Sequence, residues 1–320
     1  MSTPKDFLDR LKLHFRFEPI IEGGLRSEEF SKITKYEFEN FENNLKEKLK
    51  NYNVEGDDIV DNLVQDVLPI LTLAEQELVK NVAFGKIYNT KINAFCAKSQ
   101  DGLDHYCIVI NEGLLMLLHK YGKLLAAQGN PKIVAFCNRE DISKIKSKDY
   151  SNWANELIAN YKIYKAPVGA MLKLTTEGNM QHGFILHFQE LFVLCHELGH
   201  LFNKDLEDKR NLTNLMDSDA EIIEENKHYE IEYKADSYAF ELISRIAQKK
   251  YKMEKKNILP FVVILFDIMA LINPNQTNKH PAAIDRIMNI IRDNWGQKIA
   301  DEYLKTYNPN FDSFGFFNKL

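Results

Sequence analysis

Apolar residues recur at helical spacing early in the chain, where Phe30, Ile33, Phe38, Phe41, Leu45 and Leu49 alternate with Lys and Glu. Residues 51–58 break that pattern. Asp57 or Asp58 can cap a second helix, expected from Ile59 to about Lys80 and bent near Pro69. From Lys91 the period shortens. Residues 91–98 and 105–110 are β-prone runs joined by the turn-rich residues 99–104, which predicts a hairpin. Asn111 or Glu112 then opens a helix that stops at Gly129-Asn130-Pro131. Residues 132–137 and 170–174 read as strands inside a mixed stretch, and helical spacing resumes over 183–203. The pattern predicts an α+β fold, mostly helical, with a small antiparallel sheet. Residues 1–85 form an expected N-terminal helical region, and residues 86–320 a second unit with an insertion at about 129–180.

Composition changes this picture little. Of 320 residues, 27% are charged, with a net charge of −5, which excludes a global field that would recruit nucleic acid. No zinc-finger spacing or basic groove pattern appears either. The most apolar window, residues 258–272, is interrupted by Pro260 and Asp267 and is shorter than the roughly 20 residues a membrane span needs, so a buried core helix is expected. The first residues lack the apolar core of a secretory signal, and the four cysteines form no C-x-x-C pair. Reduced thiols and a cytoplasmic location are the resulting expectations.

The chemistry is carried by the segment FQELFVLCHELGHLFN. On a helix, His196 and His200 lie one turn apart on one face, so both imidazoles can reach a single ion. Glu197 then projects beside that ion, placed to take a proton from water. H-E-x-x-H arises by chance in roughly one chain in a hundred of this length, so it needs support. Support comes 32 residues on, where Glu232-Tyr233-Lys234-Ala235-Asp236 offers acidic groups on a second helix. A catalytic zinc ion needs three protein ligands and an open position. Glu232 is the expected third ligand, Glu230 the alternative. Asp236, one turn after Glu232, can accept the spare imidazole N–H of a ligating His. Further on, His280-Pro281 precedes a helix containing Arg286, and either His280 or Arg286 can stabilise an oxyanion.

Taken together, H-E-L-G-H, E-x-x-A-D and H-P-x-x-x-R-I resemble the gluzincin metallopeptidases, in particular the HtpX/Oma-like branch and soluble relatives such as the Lit-like phage-exclusion peptidases. The N-A-F of Asn93-Ala94-Phe95 and the hairpin around it are also similar to that group, extending the resemblance over residues 91–292. The resemblance implies a zincin-like core and Zn2+ held by His196, His200 and Glu232. It further implies Glu197 as general base, Asp236 behind a ligand, and protein or peptide substrates bound along an edge strand, for which residues 105–110 are the candidate. A trigger or activator protein is a further expected partner, and phage defence or stress response an expected setting. The insertion at 129–180 and the first 80 residues depart from the pattern. The acidic residues 211–230, between the ligands in sequence, read as a gate or as a solvated connection. A rival reading is an idle or gated metal-binding regulator that acts through partners. An intact Glu197 speaks against idleness. A second rival is a purely structural helical protein with an accidental histidine pair.

Overall fold

The computed structural model describes residues 3–15, 43, 58–99, 104–206, 213–214, 227–273 and 280–307. The expected helix through Phe30 and Leu49, the inside of the hairpin turn and nearly all of the acidic stretch 211–226 lie outside these residues.

Helix α1 (Pro4–His14) begins on a capping box, in which Thr3 accepts from the Asp6 amide and the Asp6 carboxylate accepts from the Thr3 amide. Helix α2 (Asp58–Val67) does not run on to Lys80. A 3-10 turn at Leu68–Ile70 containing Pro69 ends it, because proline has no N–H to continue the ladder. A second capping box, Thr72 with Glu75, starts α3 (Leu73–Val79).

Strands β1 (Val82–Ile87), β2 (Ala94–Lys98), β3 (Tyr106–Asn111) and β6 (Thr213–Asn214) make one sheet in the order β1-β3-β2-β6. β2 and β3 form the expected antiparallel hairpin, with Ala94 opposite Ile110. β1 joins β3 in parallel, so the sheet is mixed rather than wholly antiparallel. β3 is therefore an interior strand, which corrects the expectation that residues 105–110 form an edge. Every residue of β3 is buried, as befits a strand covered on both faces and paired on both sides. β2 is interior as well, with β6 pairing to its other side at Phe95 and Cys96, so the outer strands are β1 and β6.

One face of the sheet, including Ala94, Cys96, Ile108 and Ile110, joins the main core. The other face presents Ile87, Cys107 and Val109 to Leu8, Phe7 and Leu11 of α1. Helix α4 (Glu112–Gly129) follows β3 as expected, and strands β4 (Val134–Cys137) and β5 (Leu172–Leu174) form a separate antiparallel pair. Between them lies α5 (Ser147–Tyr164), a helix the sequence pattern left unassigned.

The remaining core is helical. Helix α6 (Thr176–Phe202) starts well before Gly183, where the Thr175 side chain accepts from the Gly178 amide. α7 (Lys227–Tyr251), α8 (Lys255–Ile272), α9 (Ala283–Trp295) and α10 (Gln297–Thr306) complete the described elements. α8 is the buried core helix expected of the apolar window, and no described helix is long and apolar enough to cross a membrane. The four cysteines are buried and unpaired.

Candidate metal centre

Buried apolar residues before the motif, Leu191 to Cys195, fix α6 inside the core, so His196, Glu197 and His200 have no access to a solvated face. α7 crosses α6 at Gly199, where a methyl group would sit 2.9 Å from the Ala235 Cα. Only glycine allows that approach, and the approach brings Glu232 of α7 over the two histidines.

The two imidazole Nε2 atoms stand 3.0 Å apart. Glu232 lies 3.5 Å from His196 Nε2 through one oxygen and 3.6 Å from His200 Nε2 through the other. One ligand atom from each of the three residues falls within 4.8 Å of the other two. Tetrahedral zinc with ligands at about 2.0–2.1 Å places neighbouring donors about 3.3–3.5 Å apart, so the residues fit such an ion. Glu230, the alternative ligand, is exposed and is not brought to the histidines.

Each imidazole is held from behind by a carboxylate. His196 Nδ1 is 2.9 Å from Asp236, and His200 Nδ1 is 3.0 Å from Asp205. Nδ1–H donated to a carboxylate leaves Nε2 as the lone-pair atom, so both lone pairs face the same point. Burial pulls His196 down to about 4, against the pull of Asp236, so this imidazole is neutral and available as a ligand. Burial also lowers His200, but the Asp205 hydrogen bond and the charges of Glu232 and Glu197 outweigh it and raise it overall.

Arg286 of α9 is fully buried and binds Asp236 with two hydrogen bonds, Nε at 2.7 Å and one terminal nitrogen at 2.6 Å. The same terminal nitrogen is 3.4 Å from Glu232, and the guanidinium stands 4.9 Å from the Phe266 ring centroid. Burial raises Asp236, but Arg286 more than offsets this and holds it below the usual carboxylate range. Burial likewise raises Glu232, while His280, Arg286 and His200 together pull it far down. His280, from the segment before α9, is 3.3 Å from Glu232 and keeps some exposure.

Glu197 differs from these. Neither of its buried oxygens makes a hydrogen bond of ordinary geometry among the described residues. Burial raises it to about 8, with Glu232 adding to the rise and His200 and the Cys96 backbone opposing it. A buried carboxyl without a firm partner is costly and marks a group held for chemistry rather than stability.

The sequence reading missed Asp205, and it left Arg286 without its partner Asp236. An Asp five residues after the second His is the sole sequence trace of the first. The Arg286–Asp236 pair joins residues 50 positions apart, which no local pattern reveals.

A family model described as Peptidase U49 matches residues 136–298, a span that holds every side chain of this centre. No curated protein and no solved structure matches the chain.

Proposed function

The chain belongs to the Peptidase U49 family, and from that membership we propose that it is a zinc-dependent endopeptidase with a gluzincin-type, zincin-like core. The observation that carries this reading is the buried His196–His200–Glu232 triangle with the buried Glu197 carboxyl beside it. Two imidazoles and one carboxylate are the donor set of a catalytic zinc site. A zinc ion held there supplies Lewis-acid polarisation of water and of the scissile carbonyl.

The protein's own residues do the rest. The buried Glu197 carboxyl, drawn into its ionised form by the charge of a bound cation, accepts a proton from water and delivers it to the leaving amine. Asp236 holds His196 by its Nδ1–H, and Arg286 neutralises Asp236 and Glu232 so that both stay ionised while buried. Arg286 is buried between Asp236 and Glu232, whereas His280 meets Glu232 and is the more exposed of the two candidates, so the oxyanion role falls to His280. β3 is paired on both sides, so an extended substrate that adds a strand to this sheet does so at an outer strand, β1 or β6. Narrow specificity, of the kind used in phage defence or stress response, rests on family analogy.

A gated form of the same enzyme is favoured by one further observation: His196, Glu197, His200 and Asp236 are all 0% exposed. Substrate then reaches Glu197 only after a movement, which a trigger or activator protein can supply.

Wild type and Glu197→Gln should be incubated with cell lysate and new peptide termini mapped by mass spectrometry. New termini are expected from the wild type and should drop at least about 10²-fold in the variant. Equal cleavage by both would remove Glu197 from the mechanism. Cleavage by neither, with metal bound to both, would select the gated form.

A further inference from the structure

Asp205 stands where no regular element would put it. α6 ends at Phe202, Asn203 follows, and Lys204 takes a positive φ of 62°. The Lys204 amide donates to the Leu201 carbonyl at 3.1 Å, and the Asp205 amide donates to the His200 carbonyl at 3.0 Å. This pair of bonds is the Schellman arrangement, which turns the chain back across the last helical turn. Leu206, buried in the core, anchors the far side of the turn. The Asp205 side chain is thereby aimed back along the helix, and its Oδ2 lies 3.0 Å from His200 Nδ1. Asp205 thus holds His200 twice, through its backbone and through its carboxylate.

We infer that Asp205 is a positioning residue for the metal ligand His200, and that the left-handed turn at Lys204 is the device that delivers it. The inference rests on the metal-centre reading above. His196 is oriented by Asp236 of α7, a carboxylate that Arg286 also binds. His200 is oriented from its own chain, five residues on. The two imidazoles therefore point at one spot through independent supports, and loss of the Asp205 contact frees the His200 ring to rotate or to change tautomer. Lys204 occupies a backbone conformation that glycine adopts without cost. The turn is held by its two hydrogen bonds and by Leu206, not by the preference of its central residue.

The experiment measures zinc affinity by competition with a chromophoric chelator, for wild type, Asp205→Ala, Asp205→Asn, Lys204→Gly and Lys204→Val. Thermal unfolding of each metal-free protein is recorded alongside. Asp205→Ala should weaken zinc binding about 10- to 100-fold, the usual effect of removing a group behind a ligand. Asp205→Asn keeps an oxygen acceptor for Nδ1–H and should recover most of that loss. Lys204→Gly should bind zinc as the wild type does. Lys204→Val, β-branched at positive φ, should lose affinity with the Asp205 carboxylate still present. With cobalt in place of zinc, the visible absorption of Asp205→Ala should shift, whereas a purely structural role would leave the band in place. Zinc affinity in Asp205→Ala equal to wild type would overturn the inference. So would equal losses in the Ala and Asn variants that merely track their metal-free melting temperatures. If the wild type itself binds no zinc, the metal-centre reading fails first and the inference falls with it.

Discussion

Glu190 and Glu197 stand two turns apart on the same side of α6, and burial raises both. Glu190 reaches about 7, with Glu112 adding to the rise and Lys86 opposing it. Lys86 and Glu112 form their own buried pair at 3.0 Å. The folded protein holds the Glu190 proton more tightly than the unfolded chain, whose value is near 4.5. Glu190 therefore costs nothing below pH 4.5, removes stability as pH rises toward 7, and stays at full cost above that. At about 1.4 kcal/mol per pK unit, the full cost is on the order of 3 kcal/mol. Glu190→Gln should flatten this part of the stability–pH curve, read by urea unfolding at pH 5, 6, 7 and 8. Identical slopes in both proteins would refute it. That His196, Glu197 and His200 gather along one helix, and Glu232 and Asp236 along another, was legible at this scale, because helical periodicity sets which side chains share a face. Asp205 was not, because its contact depends on a left-handed Lys, and the sequence offers no glycine there to announce the turn.

At the scale of elements, the crossing of α6 and α7 controls the geometry of the centre. Gly199→Ala would press a methyl group against the Ala235 backbone and push Glu232 away from His200. A loss of about 1–3 kcal/mol in stability is expected, together with weaker metal binding. Chemical denaturation and chelator competition measure the two, and a variant as stable as wild type would contradict the packing argument. The hairpin, the helix after it and the apolar helix α8 arise from patterns within single segments. α5 escaped because Asn, Ser and Tyr, weak helix formers, fill it, although Tyr150, Ala154, Leu157 and Ile158 keep a buried helical face. The place of β3 in the sheet escaped for another reason. A fully apolar run announces a covered strand but does not name its neighbours, and β1 pairs with it from 24 positions earlier, Val82 against Tyr106.

Across the whole molecule, described residues of the N-terminal helical region, 1–85, share the main core with the elements that follow. Val60, Leu63, Val67 and Val79 pack in one cluster with Phe188, Phe192 and Phe240. Polar links reinforce this. The Tyr238 hydroxyl donates to Glu75 at 2.9 Å, Arg245 donates to the Ile70 carbonyl, and Asp66 meets both Lys250 and His187. Removing residues 1–85 should therefore expose the backs of α6 and α7 and abolish cooperative unfolding, seen as a broad thermal transition with dye-binding apolar surface. A sharp transition in the shortened chain would instead establish 86–320 as an independent unit.

Whether His196, His200 and Glu232 hold a catalytic metal is decided by native mass spectrometry of protein purified without chelator. One zinc per chain is expected in the wild type and in Glu197→Gln, and none in His196→Ala or His200→Ala. A wild type free of zinc, or histidine variants that retain it, would mean that this triangle is not a metal centre.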